Sequence, residues 1–316
     1  MSRKPLDDRV ENPAAVDQVL GCLLGLALGD AYGAPFEGGP IERLVWRFIG
    51  TTSAGLPRWT DDTQMALDLA HVLLQHGRVD QDALARRFAH SYAWRRGYGP
   101  ATARLLKRVR GGESWQRAAT SVYPKGSFGN GAAMRAPVVA LFVADEARLL
   151  AETRLAAQVT HGHPLGITGA ELMAAATRLV LLRAPLGSVL DAITRLGTAA
   201  EYAARIEQAR VWLRAGEGPE PAKVAQVLGN GMTAPTSVVT ALYAGLRHLH
   251  APFADLLAFV RCCGGDVDTL GAMAGALWGA HNGADGLLDL PVEGRDELER
   301  VARQIAGGRR LDLERN

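Results

Sequence analysis

Aromatic residues are scarce in this chain, at 6%, cysteines number only three, and neither sign of charge prevails. With 35 Lys+Arg against 33 Asp+Glu, the formal net charge is +2. That near balance excludes a broad basic surface, so no stable nucleic-acid binding is expected. Cys22, Cys262 and Cys263 make an odd count, with two adjacent members and no C-x-x-C pair. This excludes a disulfide framework and a cysteine zinc corner, and fits a reducing compartment. The N-terminal MSRKPLDDRVENPAA is polar and lacks the apolar stretch and cleavage site of a signal peptide. The longest strongly apolar run, 19–29, is closed by Asp30 and reaches roughly half the length that a membrane-spanning helix needs. A cytoplasmic protein with no membrane association is expected.

What the chain does have is helical periodicity. Apolar residues recur as Val16, Val19, Leu20, Leu23 and Leu24, as Met65, Leu69, Val72 and Leu73, and as Leu270, Met273, Ala274, Leu277 and Trp278, the spacing of one buried helix face. Strand alternation is hard to find, and alanine and leucine lose little rotamer freedom in helices. The fold class is therefore all-α. The spacing predicts helices over 14–29, 63–76, 80–95, 100–110, 113–121, 131–143, 145–158, 164–182, 186–196, 200–214, 221–228, 235–249, 252–261, 268–281 and 293–307. No Pro/Gly/Ser linker or shift of charge divides the 316 residues, so a single domain over 13–308 is expected, with a mobile tail at 1–12 and a C-terminal tail at 309–316. Gly21, Gly25 and Gly29 lie four apart, which bares one helix face for close packing.

Two helix starts are unusually acidic. Arg58-Trp59-Thr60-Asp61-Asp62-Thr63 precedes one amphipathic helix, and Gly264-Gly265-Asp266-Val267-Asp268-Thr269 precedes another. Ordinary capping needs one such side chain, because Asp and Thr accept bonds from unpaired N–H groups. Several like charges together raise one another's pKa unless a cation compensates. Two independent caps and a shared metal site both remain open on spacing alone. For a metal, the hard oxygen ligands favour Mg²⁺ or Mn²⁺ over zinc. Asp30, ending an apolar helix, needs a buried partner, metal-bound water included.

The loop Gly126-Ser127-Phe128-Gly129-Asn130-Gly131 feeds a helix and reads either as a phosphate cradle or as a plain turn. It matches neither a Rossmann nor a Walker fingerprint. Gly97-Tyr98-Gly99-Pro100 has the same ambiguity. His161 and His163, in THGHP, lack a third ligand for zinc, so hydrogen bonding to a ligand or to the backbone fits them better. Glu37 taken alone is a solvated loop acid. Arg104, Lys107, Arg108 and Arg110 read as the wet face of a helix. A second Gly-Asn-Gly triplet stands at 229–231 in surroundings unlike the first.

Taken together, GCLLGLALGDAYGAPFE at 21–37, RWTDDTQMAL at 58–67, RGYGPATARLL at 96–106, KGSFGNGAAMRAPVVALF at 125–142, THGHP at 160–164, LGNGMTAPTSVVTALY at 228–243 and GGDVDTLGAMAGALWGA at 264–280 resemble the ADP-ribosylglycohydrolase family, proteins like dinitrogenase reductase-activating glycohydrolase. The resemblance implies a compact, orthogonal multi-helix globule with two Mg²⁺ (or Mn²⁺) ions in a cleft, hydrolysing the bond between ADP-ribose and a modified protein or small conjugate. It implies Thr60, Asp61, Asp62, Asp266, Asp268 and Thr269 as metal ligands, and Glu37, Asp61 or Asp266 as the proton-handling acid. It implies Gly97, Gly99, Gly126, Ser127, Phe128, Gly129, Asn130 and His161 around the ligand, with Tyr123 against adenine. RGYGPATARLL, carrying no acid at 97–101, looks more like the branch acting on serine-linked ADP-ribose and related O-linked conjugates such as O-acyl-ADP-ribose. Val239 stands where that branch usually has proline. The alternatives are an arginine-directed hydrolase and a non-catalytic ADP-ribose-binding module on the same fold.

Overall fold

The computed structural model describes residues 13–216 and 218–308; the expected tails at 1–12 and 309–316 lie outside the described residues. Sixteen helices follow in order: α1 Pro13–Gly33, α2 Pro40–Ile49, α3 Asp61–His76, α4 Gln81–Ser91, α5 Pro100–Arg110, α6 Trp115–Val122, α7 Pro137–Phe142, α8 Glu146–Gln158, α9 Pro164–Leu181, α10 Leu186–Leu196, α11 Ala200–Ala215, α12 Pro221–Leu228, α13 Ala234–Arg247, α14 Phe253–Cys263, α15 Val267–Asn282 and α16 Arg295–Gly308. Among the described residues there is no strand, only isolated bridges pairing Thr51 with Pro57 and Gly129 with Thr233. The all-α reading holds, and most helices start as their sequence signals direct. Thr60, Asp80, Ser114 and Asp145 accept backbone N–H bonds at their helix N-termini, and prolines occupy the first turns of α5, α9 and α12, where a missing N–H breaks no bond.

At the centre, α1 and α15 pack backbone against backbone. A Cβ added to Gly21 would lie 2.4 Å from the Gly279 carbonyl, one on Gly25 would lie 2.1 Å from that of Gly275, and one on Gly29 would lie 2.0 Å from that of Gly271. The expected glycine face of α1 therefore meets a second glycine row on α15, and the two run antiparallel. This contact fixes function as well as packing, because the end of α1 bearing Asp30 lies beside the start of α15 bearing Asp268: a Cβ on Gly33 would reach the Asp268 backbone at 2.6 Å. The window Val16–Phe36 is long and apolar enough to cross a bilayer by length and composition, yet 78% of it is buried inside the protein. It is a core helix.

Three boundaries differ from expectation by more than two residues, and one helix was not expected. α1 runs past Asp30 to Gly33, because the Asp30 carboxylate is satisfied by N–H groups of another helix. α4 stops at Ser91, where Arg110 donates to the carbonyls of Ala89, His90 and Tyr92. The helix expected over 131–143 forms only as Pro137–Phe142 after a 3-10 turn at Asn130–Ala132; Ala136 keeps helical backbone, but Pro137 has no N–H to donate to the preceding turn, and the chain there closes i→i+3 bonds instead. α2 was not expected at all. It begins with Pro40 in its first turn and Glu42 accepting from the Gly39 N–H, and it buries Trp46 while Ile41, Leu44, Val45 and Phe48 face outward.

Candidate active site

Helix α3 is capped twice before its acids are counted. Thr60 Oγ1 accepts from the Asp62 N–H, and Asp30 accepts from the backbone N–H groups of Thr60 and Thr63 and from the Thr63 hydroxyl at 2.6–3.0 Å. The partner that Asp30 required is therefore a helix N-terminus. With that end satisfied, the carboxylates of Asp61 and Asp62 are surplus to capping. At α15 the Asp266 side chain makes no cap bond to its own helix; it accepts from Asn130 Nδ2 at 2.5 Å.

The surplus acids converge. Asp30, Asp62 and Asp268 each place a carboxylate oxygen within 4.8 Å of the others, and so do Glu37, Asp266 and Asp268, the two trios sharing Asp268. Thr269 Oγ1 lies 3.5 Å from Asp62 Oδ1, joining segments 207 residues apart in sequence. Burial pushes Asp61, Asp62 and Asp268 well above the usual carboxylate range, and neighbouring acids push them further. Asp30 rises to about 6 through burial. Asp266 and Glu37 rise for the same first reason, Glu37 also through the charge of Asp266. Asp62 Oδ2 is buried with no protein partner. An all-oxygen cluster with raised pKa values and an orphaned buried oxygen fits hard divalent cations.

Glu37 is half-buried beside this cluster and not the solvated acid that its loop position alone suggests. Thr60, buried, stands behind Asp61 and Asp62 as their cap. The segment leading into α3 is held by Glu293, which accepts from the Trp59 N–H and pairs with Arg96.

All the other expected ligand residues line the same cleft, of about 500 Å³: Gly97, Gly99, Tyr123 and the loop Gly126–Asn130, with His161. The N–H groups of Ser127 and Phe128 have no protein acceptor among the described residues, so the loop keeps the free donors an anion needs. His163 points elsewhere and caps α9 through Nδ1. Of the basic residues on α5, Arg110 binds carbonyls, Arg108 pairs with Glu113, and Arg104 reaches the cleft wall.

Sequence reasoning missed how the second Gly-Asn-Gly triplet serves the first. Asn130 N–H donates to Met232 O, and Ala234 N–H donates to Phe128 O. Asn230 accepts from the Asp266 N–H through its own carbonyl and donates to Cys263 O. Asn130 thus holds the Asp266 carboxylate while Asn230 holds its backbone. Gly265, at φ +77°, passes so near Asn230 O that a Cβ would lie 2.0 Å away. The repetition of the triplet was the available signal. Met232 and Thr233, which line the cleft, were missed with it.

A family model described as ADP-ribosylglycohydrolase matches residues 11–314. Similar proteins include the ADP-ribosylhydrolase ARH3 of Danio rerio, 32% identical over 90% of this chain and 89% of that protein. The ADP-ribosylhydrolase ARH3 of Homo sapiens is 31% identical over 90% of this chain and 92% of that protein. The uncharacterized protein YegU of Escherichia coli (strain K12) is 31% identical over 86% and 89%. A solved structure described as an ADP-ribosylglycohydrolase-related protein complex aligns with a TM-score of 0.65 at 30% identity, covering 93% of this chain and 98% of that one. The chain belongs to the ADP-ribosylglycohydrolase family.

Proposed function

We propose that this protein is a divalent-cation-dependent hydrolase that releases ADP-ribose from O-linked, serine-type conjugates on proteins or from small relatives such as O-acyl-ADP-ribose. The observation that carries the reading is one cleft lined both by the converging acids Glu37, Asp61, Asp62, Asp266 and Asp268 and by a glycine loop with free N–H donors. An ADP-ribose conjugate offers a complement to both, with neutral ribose hydroxyls at its reactive end and an anionic diphosphate further in. The similar proteins named ADP-ribosylhydrolase support the same substrate.

Thr60, Asp61, Asp62, Asp266, Asp268 and Thr269 would hold two Mg²⁺ ions, or Mn²⁺, with Asp30 behind them. Bound there, such ions supply charge stabilisation to the reacting sugar and an acidified water. The Ser127 and Phe128 amides bind the diphosphate without a net positive protein charge. Gly97 and Gly99 shape the wall beside the acids, and Tyr123, exposed at the rim, offers a face to adenine. Glu37, Asp61 and Asp266 are the acids that meet the reacting end. Glu37, raised by burial yet open to the cleft, takes or relays the proton at its carboxylate oxygen, as a base tuned towards neutrality does. Binding of the remote ADP portion anchors the ribose for reaction.

The wall formed by Gly97, Gly99, Pro100, Ala101 and Thr102 brings no carboxylate to the cleft, so it gives a departing guanidinium no counter-charge. This favours a neutral O-linked leaving group over an arginine-linked one. The test is release of free ADP-ribose from serine-linked peptide, arginine-linked peptide and O-acyl-ADP-ribose, each with Mg²⁺, with EDTA, and with Mg²⁺ restored. Turnover of the O-linked substrates that EDTA abolishes and Mg²⁺ restores is expected. Equal or arginine-biased rates would overturn the linkage, and tight ADP-ribose binding without turnover would identify a binding module instead.

A further inference from the structure

Behind the glycine loop lies a buried cation that the proposed chemistry does not use. Arg135 is fully buried, with its guanidinium 5.1 Å from the Phe88 ring centroid. It donates to Gly131 O, to Ala156 O at 2.9 Å and to Thr160 Oγ1 at 2.8 Å. Thr160 Oγ1 is in turn 2.7 Å from His161 Nδ1. We infer that Arg135 and Thr160 form a relay that fixes His161 in one tautomer, with the proton on Nε2, so that the imidazole is a permanent hydrogen-bond donor to the anionic part of the cleft's ligand.

The reasoning is an accounting of protons. A threonine hydroxyl has one donor and two acceptor sites. One acceptor site is taken by Arg135, which can only donate. Were His161 Nδ1 to carry a proton, Thr160 would accept a second time and its own proton would need another acceptor; among the described residues no such bond forms, and Thr160 is buried. A buried, unsatisfied hydroxyl bears its full desolvation cost. The satisfied arrangement has Thr160 donating to Nδ1, which leaves the ring proton on Nε2. Burial, reinforced by the Arg135 charge, pushes His161 down to about 3, so the ring is neutral throughout the physiological range and its tautomer alone decides whether Nε2 donates or accepts.

The surroundings of Nε2 are built for this. A Cβ on Gly131 would lie 2.9 Å from Nε2 and 2.6 Å from Cε1, and one on Gly129 would lie 3.2 Å from Nε2. The two glycines of the triplet thus make room for the imidazole edge at the loop that offers the free Ser127 and Phe128 amides. Arg135 also holds the loop itself through Gly131 O. One buried guanidinium therefore sets both the position of the backbone donors and the polarity of the side-chain donor beside them. Arg135 and Thr160 are positioning residues, acting through His161; only the identity of the ligand rests on the proposed function.

The tautomer is readable by long-range ¹H–¹⁵N NMR on the full-length, histidine-labelled protein, with and without ADP-ribose, for wild type, Thr160→Val and Thr160→Ser. The wild type is expected to show neutral His161 with Nε2–H from pH 5 to 8. Thr160→Val, which keeps the shape and loses the hydroxyl, is expected to mix the tautomers and weaken ADP-ribose binding by about 10-fold, the scale of one hydrogen bond to a charged group. Thr160→Ser restores both, which a purely structural role for the threonine methyl would not. A proton on Nδ1 in the wild type, an imidazolium at pH 6, or an unchanged tautomer in Thr160→Val would overturn the relay. If the wild type shows Nε2–H but binds no ADP-ribose, the proposed ligand fails and the relay stands.

Discussion

One oxygen of Asp62 is buried without a partner, and the other lies 3.5 Å from the Thr269 hydroxyl. Its helix is already capped by Thr60 and Asp30, so its charge does nothing for the fold that a neutral side chain of the same shape would not do. Asp62→Asn should therefore separate folding from function. The cation-free variant is expected to melt about 2–4 °C higher for each kcal/mol of like-charge repulsion removed. Its cation-dependent turnover should fall by more than the roughly 10–100-fold typical of losing an outer-shell partner. Thermal melts in EDTA and turnover at saturating Mg²⁺ check the two halves; wild-type turnover would remove Asp62 from the ligand set. At this scale the sequence announced the surplus acids, since two carboxylates at one helix start exceed what capping needs. It did not announce Asn230 or Thr160. Asn230 acts through bonds to Cys263 and Asp266 and Thr160 through one to Arg135, partners that only the folded chain brings together, and the repeated triplet was the one local hint of the first.

The helices were legible for a physical reason: most of them bury one face, and burial at 3.6-residue spacing leaves its record in the order of residues. α2 breaks that link, because the apolar side that would advertise a core helix faces outward and only Trp46 is buried. Its proline start and Glu42 cap were the remaining signals. The α1–α15 crossing was half legible; the row of Gly21, Gly25 and Gly29 promised close approach, but the partner became evident only when Gly271, Gly275 and Gly279 were found opposite. That crossing predicts a graded response. Gly21→Ala and Gly29→Ala each force a Cβ to within 2.4 Å or less of a facing carbonyl, so each is expected to destabilise by about 1–3 kcal/mol or more, the cost of overpacking. Only Gly29 lies beside the acidic end, one residue from Asp30. Calorimetric titration with Mg²⁺ below the melting temperature should show weakened binding in Gly29→Ala and near-normal binding in Gly21→Ala. Equal loss in both would mean that the helix pair moves as one rigid unit and the local coupling is absent.

Over the whole molecule the charges nearly cancel, yet five acids, Glu37, Asp61, Asp62, Asp266 and Asp268, are gathered along one cleft. Such a gathering makes stability depend on pH in an unusual direction. Asp30 holds its proton up to about 6 in the folded protein against an ordinary value of 3.8, and burial raises Asp61, Asp62 and Asp268 as well. A carboxylate raised by folding contributes stability that is complete below its unfolded pKa and is lost as pH rises through its folded pKa. The cation-free protein should therefore lose this contribution from about pH 4 upward, through pH 6 and beyond. Divalent cations held there as proposed would bind the deprotonated oxygens in competition with those protons, and would stabilise the folded state by about 2.7 kcal/mol at a hundred times the dissociation constant. The difference in melting temperature between samples in Mg²⁺ and in EDTA should be near zero at pH 4.5 and grow steadily to pH 8. Taking the difference cancels the exposed acids that titrate equally in both samples. A cation-induced shift that is constant with pH, or largest in acid, would mean that the cations bind elsewhere and that the converging carboxylates are not their site.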